Sequence, residues 1–149
     1  MKELTGTAFA TTPASLEQCF SLLLAVDRYP SWHGDVVTSA EVVERDAQGR
    51  PMRARAKLHV ERGPLRKDFD LLMAVNADPL ELIKLSRIPH EPTDPERFDV
   101  VWRMRAGTST HIRLDLAANL SVPRLIPIGG VGDALARGMV SAAAQALAS

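Results

Sequence analysis

The sequence predicts an α+β fold: a curved antiparallel sheet of about seven strands wrapped around a long C-terminal helix, with one N-terminal helix and a short helical turn. Three observations carry this expectation. Between residues 36 and 120 most segments alternate apolar and polar residues with a period of two. The turns between them are short, which makes neighbours antiparallel. One face of almost every strand is apolar, and only two helical segments are available to cover it, the C-terminal one being the longer.

Taken in order, residues 3–11 ("ELTGTAFAT") read as a first strand. "TTPASLEQCFSLLLAV" then starts a helix, with Thr12 as the expected N-cap before Pro13 at the first helical position. Leu16, Phe20, Leu23 and Leu24, with Cys19 beside them, recur at helical spacing. The pattern stops at Asp27, and Pro30 and Gly34 keep it from running on. The stretch "VDRYPSWHG" (26–34) holds the chain's one Tyr and one of its two Trp. Tyr29 and Trp32 are expected to fold inward as an apolar lid or brace with polar tips free to hydrogen-bond.

"VVTSAEVVERD" (36–46) is the next strand, and its facing stays open because either parity leaves Thr38 or Glu41 inward. "MRARAKLHV" (52–60) and "KDFDLLMAVN" (67–76) alternate cleanly around the turn "RGPL". A hairpin centred on Gly63-Pro64 sets Leu58 opposite Phe69, Ala56 opposite Leu71 and Ala54 opposite Met73. On the other face Lys57 meets Asp70 and His59 meets Asp68, so size matching and charge matching choose one register. Strands at 80–88, 97–106 and 111–120 follow, with the proline-rich "PHEPTDPE" (89–96) as a rim loop. "VGDALARGMVSAAAQALA" (131–148) is the second helix, striped by Leu135, Met139, Ala143 and Leu147.

The 149 residues fit one domain, 1–149. Eighteen basic and eighteen acidic residues balance, which does not favour nucleic acid or an anionic membrane as partner. No apolar run approaches the ~20 residues of a membrane span, and the N-terminus lacks the apolar core of a signal peptide; a cytoplasmic protein is expected. The single Cys19 excludes an internal disulfide and a cysteine-based metal site, and it is expected in the core. His33, His59, His90 and His111 fall in different elements without ligand spacing, so no metal and no cofactor is expected. His33 is read as a surface or capping residue. "GGVG" (129–132) lacks the strand and third glycine of a dinucleotide fingerprint, and serves a bend into the last helix. The "NLS" sequon (119–121) is read as chance. Arg50, Arg53, Arg55, Lys57, Arg62, Arg66 and Lys67 make one hairpin basic, expected as a solvated face without an aromatic to stack on bases.

Five phrases together carry a family resemblance: "DRYPSW" (27–32), "VVERDAQGRP" (42–51), "GPLRKDFDL" (63–71), "GTSTHIRLDL" (107–116) and "LSVPRLIPI" (120–128). With the order of elements, they make the chain resemble the START-like/SRPBCC superfamily of the helix-grip fold, and most of all the actinobacterial "polyketide cyclase/dehydrase"-type SRPBCC proteins. The 89–96 loop is longer than is usual there. The resemblance implies a cavity between sheet and last helix and a hydrophobic small molecule, such as a lipid, polyketide or isoprenoid, as cargo. Trp32, Phe69, Met73, Trp102, Met104, Leu114, Leu135 and Met139 are the expected ligand-binding residues, with Trp32 at the entrance. A cavity and a plain packed core both remain open, since small helix residues also allow close packing. No catalytic constellation is legible; a cyclase or dehydratase is the alternative, for which Glu41 is the candidate acid or base. A ribosome- or RNA-associated role through the basic hairpin is a third. The chain is expected as a monomer or homodimer.

Overall fold

In the computed structural model, which describes residues 2–122 and 127–148, one seven-stranded antiparallel sheet runs in the order β1-β7-β6-β5-β4-β3-β2. The strands are β1 (Lys2–Thr12), β2 (Val37–Arg45), β3 (Pro51–Arg62), β4 (Leu65–Asp78), β5 (Leu82–Arg87), β6 (Arg97–Arg105) and β7 (Thr110–Leu120). The helices are α1 (Leu16–Leu24), α2 (Tyr29–His33) and α3 (Val131–Leu147), with a 3-10 turn at Val26–Arg28. The α+β helix-grip architecture is therefore as expected. β1 and β2 are the two sheet edges, and the α1–α2 segment carries the chain from one to the other.

Local chemistry explains the elements. Ser15, not Thr12, caps α1: its hydroxyl accepts from Gln18 N while the Gln18 side chain accepts from Ser15 N, a reciprocal box. Thr12 belongs instead to β1, paired with Thr110. Pro30 does more than stop a helix, because it sits in the first turn of α2 and starts one. The β3–β4 hairpin has the expected register throughout, from Ala54↔Met73 to His59↔Asp68. Gly63, at its turn, takes φ +55.

The facing of β2 is decided by bulges. Register shifts between Val37 and Ser39 and between Val42 and Glu44 break the period, so no single parity holds. Val37, Ala40 and Val42 belong to the core cluster or pack on it, and Glu41 is exposed opposite Arg55.

The inner sheet face is buried in an apolar core that includes Leu4, Phe69, Val100, Trp102, Leu114 and Ile83. α1 packs on β5, β6 and β7, whereas α3 lies against β1 and β7. The α3–β1 contact is backbone on backbone. A Cβ on Gly132 would run into the Thr5 carbonyl oxygen, and one on Gly6 into the Gly132 oxygen. Asp133 fixes the crossing by accepting from Thr7 N at 3.1 Å. "GGVG" thus does two jobs. Gly130 takes φ +80 at the N-cap, and Gly132 lets the helix touch the strand. Residues 123–126 of the "LSVPRLIPI" phrase lie outside the described residues.

Candidate functional site

Three inward alanines leave space under α3. Ala40 pairs with Ala56, which pairs with Leu71; beside them Val42 pairs with Ala54, which pairs with Met73. Where two small side chains adjoin on a sheet face, the layer above them cannot close completely. The result is an apolar cavity of about 60 Å³. Its wall is completed by Val37, Leu58, Leu85, Phe98 and Val100 of the sheet, by Val26 and Tyr29 of the connector, and by Met139 of α3. The one polar group in this wall, the Tyr29 hydroxyl, is committed: it donates to the Leu23 carbonyl at 2.6 Å. Burial pushes this phenol well above its ordinary range, with the Trp102 indole acting weakly the other way.

Ligand pockets span roughly 300–1,000 Å³. At about 60 Å³ the cavity is well below that range. Met73 and Met139 face it from sheet and helix. Both are unbranched and able to re-pack.

Of the eight residues expected at a ligand, these two methionines line the cavity and six stand outside its wall. Trp102 is fully buried on β6 between Ile83 and Leu114, and its indole N–H meets no acceptor in hydrogen-bond geometry. Leu114 and Leu135 are core. Phe69 packs edge-on against Phe98, centroids 5.7 Å apart, beneath the Lys67 ammonium. Met104 borders a larger groove of about 780 Å³ that opens across the outward side chains Phe9, Arg103 and Arg113. That groove is wide and lined by charges, including Asp78 and Glu81, so it lacks the character of a hydrophobic site. Trp32 lies in a shallow groove with Leu22, Ser31 and Ala146, its ring tilted against Tyr29 with centroids 4.8 Å apart. Sequence reasoning missed the rest of this wall, above all Ala40, Ala54 and Ala56, since an alanine marks a cavity only once its neighbours are known.

His33 departs from its expected surface place: only 8% of it is exposed. Burial, then the Arg62 guanidinium, holds its pKa below the ordinary histidine value, against the smaller pull of Asp35. His59 is shifted the other way. Asp68, 2.6 Å from Nδ1, and then Glu61 favour its charged form. The basic hairpin is largely paired at its own surface: Arg53 with Glu44, Arg50 with Asp46, Arg66 with Glu61, Lys67 with Glu96. Among the described residues no group of three or more His, Cys, Asp or Glu is placed to hold a metal ion, and no helix is long and apolar enough to cross a membrane.

A sheet gripping a C-terminal helix over an apolar cavity defines a START-like helix-grip protein. The chain belongs to the polyketide cyclase/dehydrase and lipid transport family, whose model matches residues 12–147. Its fold is similar to that of a START superfamily protein from Mycobacterium smegmatis, with TM-score 0.76 and 15% identity over 97% of each chain. A protein of Thermus thermophilus is similar at TM-score 0.70, 19% identical over 96% of each chain. The di-domain ARO/CYC protein StfQ of the steffimycin biosynthetic pathway matches at TM-score 0.65 and 19% identity, over 95% of this chain and 44% of that one. These likenesses show the fold. No curated protein matches the chain.

Proposed function

We propose that this protein binds or carries a hydrophobic small molecule, of lipid, polyketide or isoprenoid type, in the space between β2–β3–β4 and α3. The observation that carries the reading is the cavity wall, apolar throughout except for one hydroxyl that is already hydrogen-bonded. An apolar chain entering such a space gains about 25 cal/mol per Å² of surface removed from water, before ordering costs. Entry requires Met139 and Met73 to swing aside and the β2 edge to yield. That edge has one strand neighbour and an interrupted ladder. Membership of a cyclase and lipid-transport family supports the same reading. A cyclase or dehydratase would need an acid or base at this wall; Glu41 is turned outward, and the wall contributes none.

Calorimetric titration with decanol tests the proposal. Wild type should bind with a negative heat-capacity change, the mark of apolar burial. Ala56→Leu fills the space and should weaken binding by about tenfold or more, a loss of roughly 1.4 kcal/mol, while the melting temperature holds. Wild-type protein that is folded and binds no decanol, or an Ala56→Leu variant that binds as well as wild type, would overturn it.

A further inference from the structure

The inward row of β3 does not stay apolar to its end. Ala54, Ala56, Leu58 and Val60 are followed in the same phase by Arg62. A terminal arginine often turns its head to solvent. Arg62 instead leans toward α3: its Nη2 lies 3.7 Å from where a Cβ on Gly138 would be, and His33 Cε1 lies 4.0 Å from the same point. The three residues therefore surround a notch that the missing Gly138 side chain leaves open.

Each of the three elements that form this notch also forms the cavity wall. Tyr29 and His33 are four apart on α2, hence on one face. Met139 is the next residue after Gly138 on α3, and Leu58 precedes Arg62 in the same row of β3. The notch therefore lies on the same three elements as the cavity, beyond the buried Val60 that stands between Leu58 and Arg62 in the inward row.

Its chemistry is that of a donor pair. Among the described residues no carboxylate forms an ion pair with Arg62, Arg55 or Lys57, whereas Arg50, Arg53, Arg66 and Lys67 of the same hairpin each have one; of the three, Arg62 alone is in the inward phase. The described partner of its guanidinium is the Glu61 carbonyl, 2.9 Å from Nη1. His33 is buried, stacked on Trp32, and its ring makes no hydrogen bond among the described residues. Arg62 weighs more on His33 than the single nearby carboxylate, Asp35. A cation and a histidine ring facing one notch, on the elements that also wall an apolar space, fit an anionic oxygen group.

We propose that Arg62 and His33 receive the anionic head of an amphiphilic ligand, so that the cargo is an apolar chain ending in a carboxylate or phosphate. This rests on the apolar-ligand reading above and adds the charge of the ligand to it. The two alternatives differ in sign. A purely apolar site prefers an alcohol to a carboxylate of equal chain length, because the charge must be stripped of water.

The test compares decanoate with decanol at pH 7.5 by calorimetry on the full chain. The proposal predicts that wild type prefers decanoate, by about 10- to 100-fold, the equivalent of a hydrogen bond to a charged group. Arg62→Gln should reverse the preference to decanol, and Arg62→Lys should keep part of it. Gly138→Leu fills the notch with the charge retained and should also abolish the preference, which covers the case of Arg62→Gln failing to fold. Wild type that prefers decanol, or Arg62→Gln and Gly138→Leu variants that still prefer decanoate, would overturn the head site while the apolar pocket stands. If wild type binds neither probe, the pocket reading and this inference fall together.

Discussion

Trp102 is the largest fully buried side chain, with its ring held between Ile83 and Leu114 on the inner face. It lies off the cavity wall. Trp102→Ala should therefore act on stability first, by about 3–5 kcal/mol as for other large core truncations. Denaturant unfolding measures this. A variant of unchanged midpoint with lost ligand binding would place Trp102 at a ligand instead. His33 gives a second residue-scale prediction. Its folded pKa lies below the ordinary value, so the unfolded chain takes up its proton first. The stability His33 contributes is present above about pH 6.5 and is lost as pH falls through its lower folded pKa. His59 runs the other way: its folded pKa is raised, so its contribution is present below about pH 6.5 and fades as pH rises. Melting curves from pH 5 to 8 should show His33→Asn flattening the acid-side decline. His59→Asn should leave that decline in place, and the small effect it has should shrink with salt, because the group is exposed. The burial of His33 was not legible in the chain, since its five-residue helix has too few positions for a period to form.

At the scale of elements, the α3–β1 crossing is the least forgiving contact. Gly132→Ala would push a Cβ into the Thr5 carbonyl, and neither partner is a flexible side-chain end. The expected cost is about 3 kcal/mol or more, at the upper end of overpacking. Gly49→Ala, with nothing within 4 Å but φ +82, should cost only its backbone strain, about 1 kcal/mol. Ser15→Ala should cost about 1 kcal/mol through the lost cap of α1. Chemical unfolding of the three variants should place Gly132→Ala well below the other two in stability. The β3–β4 hairpin was legible because size and charge both repeat at period two, and both choose one register. β2 was not, because register shifts interrupt its ladder three times within nine residues. The N-cap falls at Ser15 instead of Thr12 for a related reason: the β1–β7 ladder extends through Thr12↔Thr110 and claims the earlier residue. Tertiary pairing decided both cases, and a single strand's pattern does not contain it.

For the molecule as a whole, the fold was readable because most strands carry an apolar face and something must cover it. The candidate site was readable only in part. A cavity is defined by what its wall lacks, and Ala40, Ala54 and Ala56 are neighbours only through the sheet register. Large side chains attract attention in a sequence, yet Trp102 and Leu114 fill the core, whereas two flexible methionines face the open space. Arg62 was hidden for a similar reason: it sits in a hairpin of seven basic residues, and only its inward phase separates it from the surface set.

The five methionines supply the most direct measurement of the central claim. Methyl-labelled methionine NMR during a decanol titration reports on the cavity through Met73 and Met139, on the outer groove through Met104, and on the exposed hairpin through Met52. Saturable shifts of the Met73 and Met139 methyls, with Met104 and Met52 unmoved, are the predicted result. Shifts confined to Met104, or saturable binding that leaves Met73 and Met139 unchanged, would contradict a ligand site between the sheet and α3.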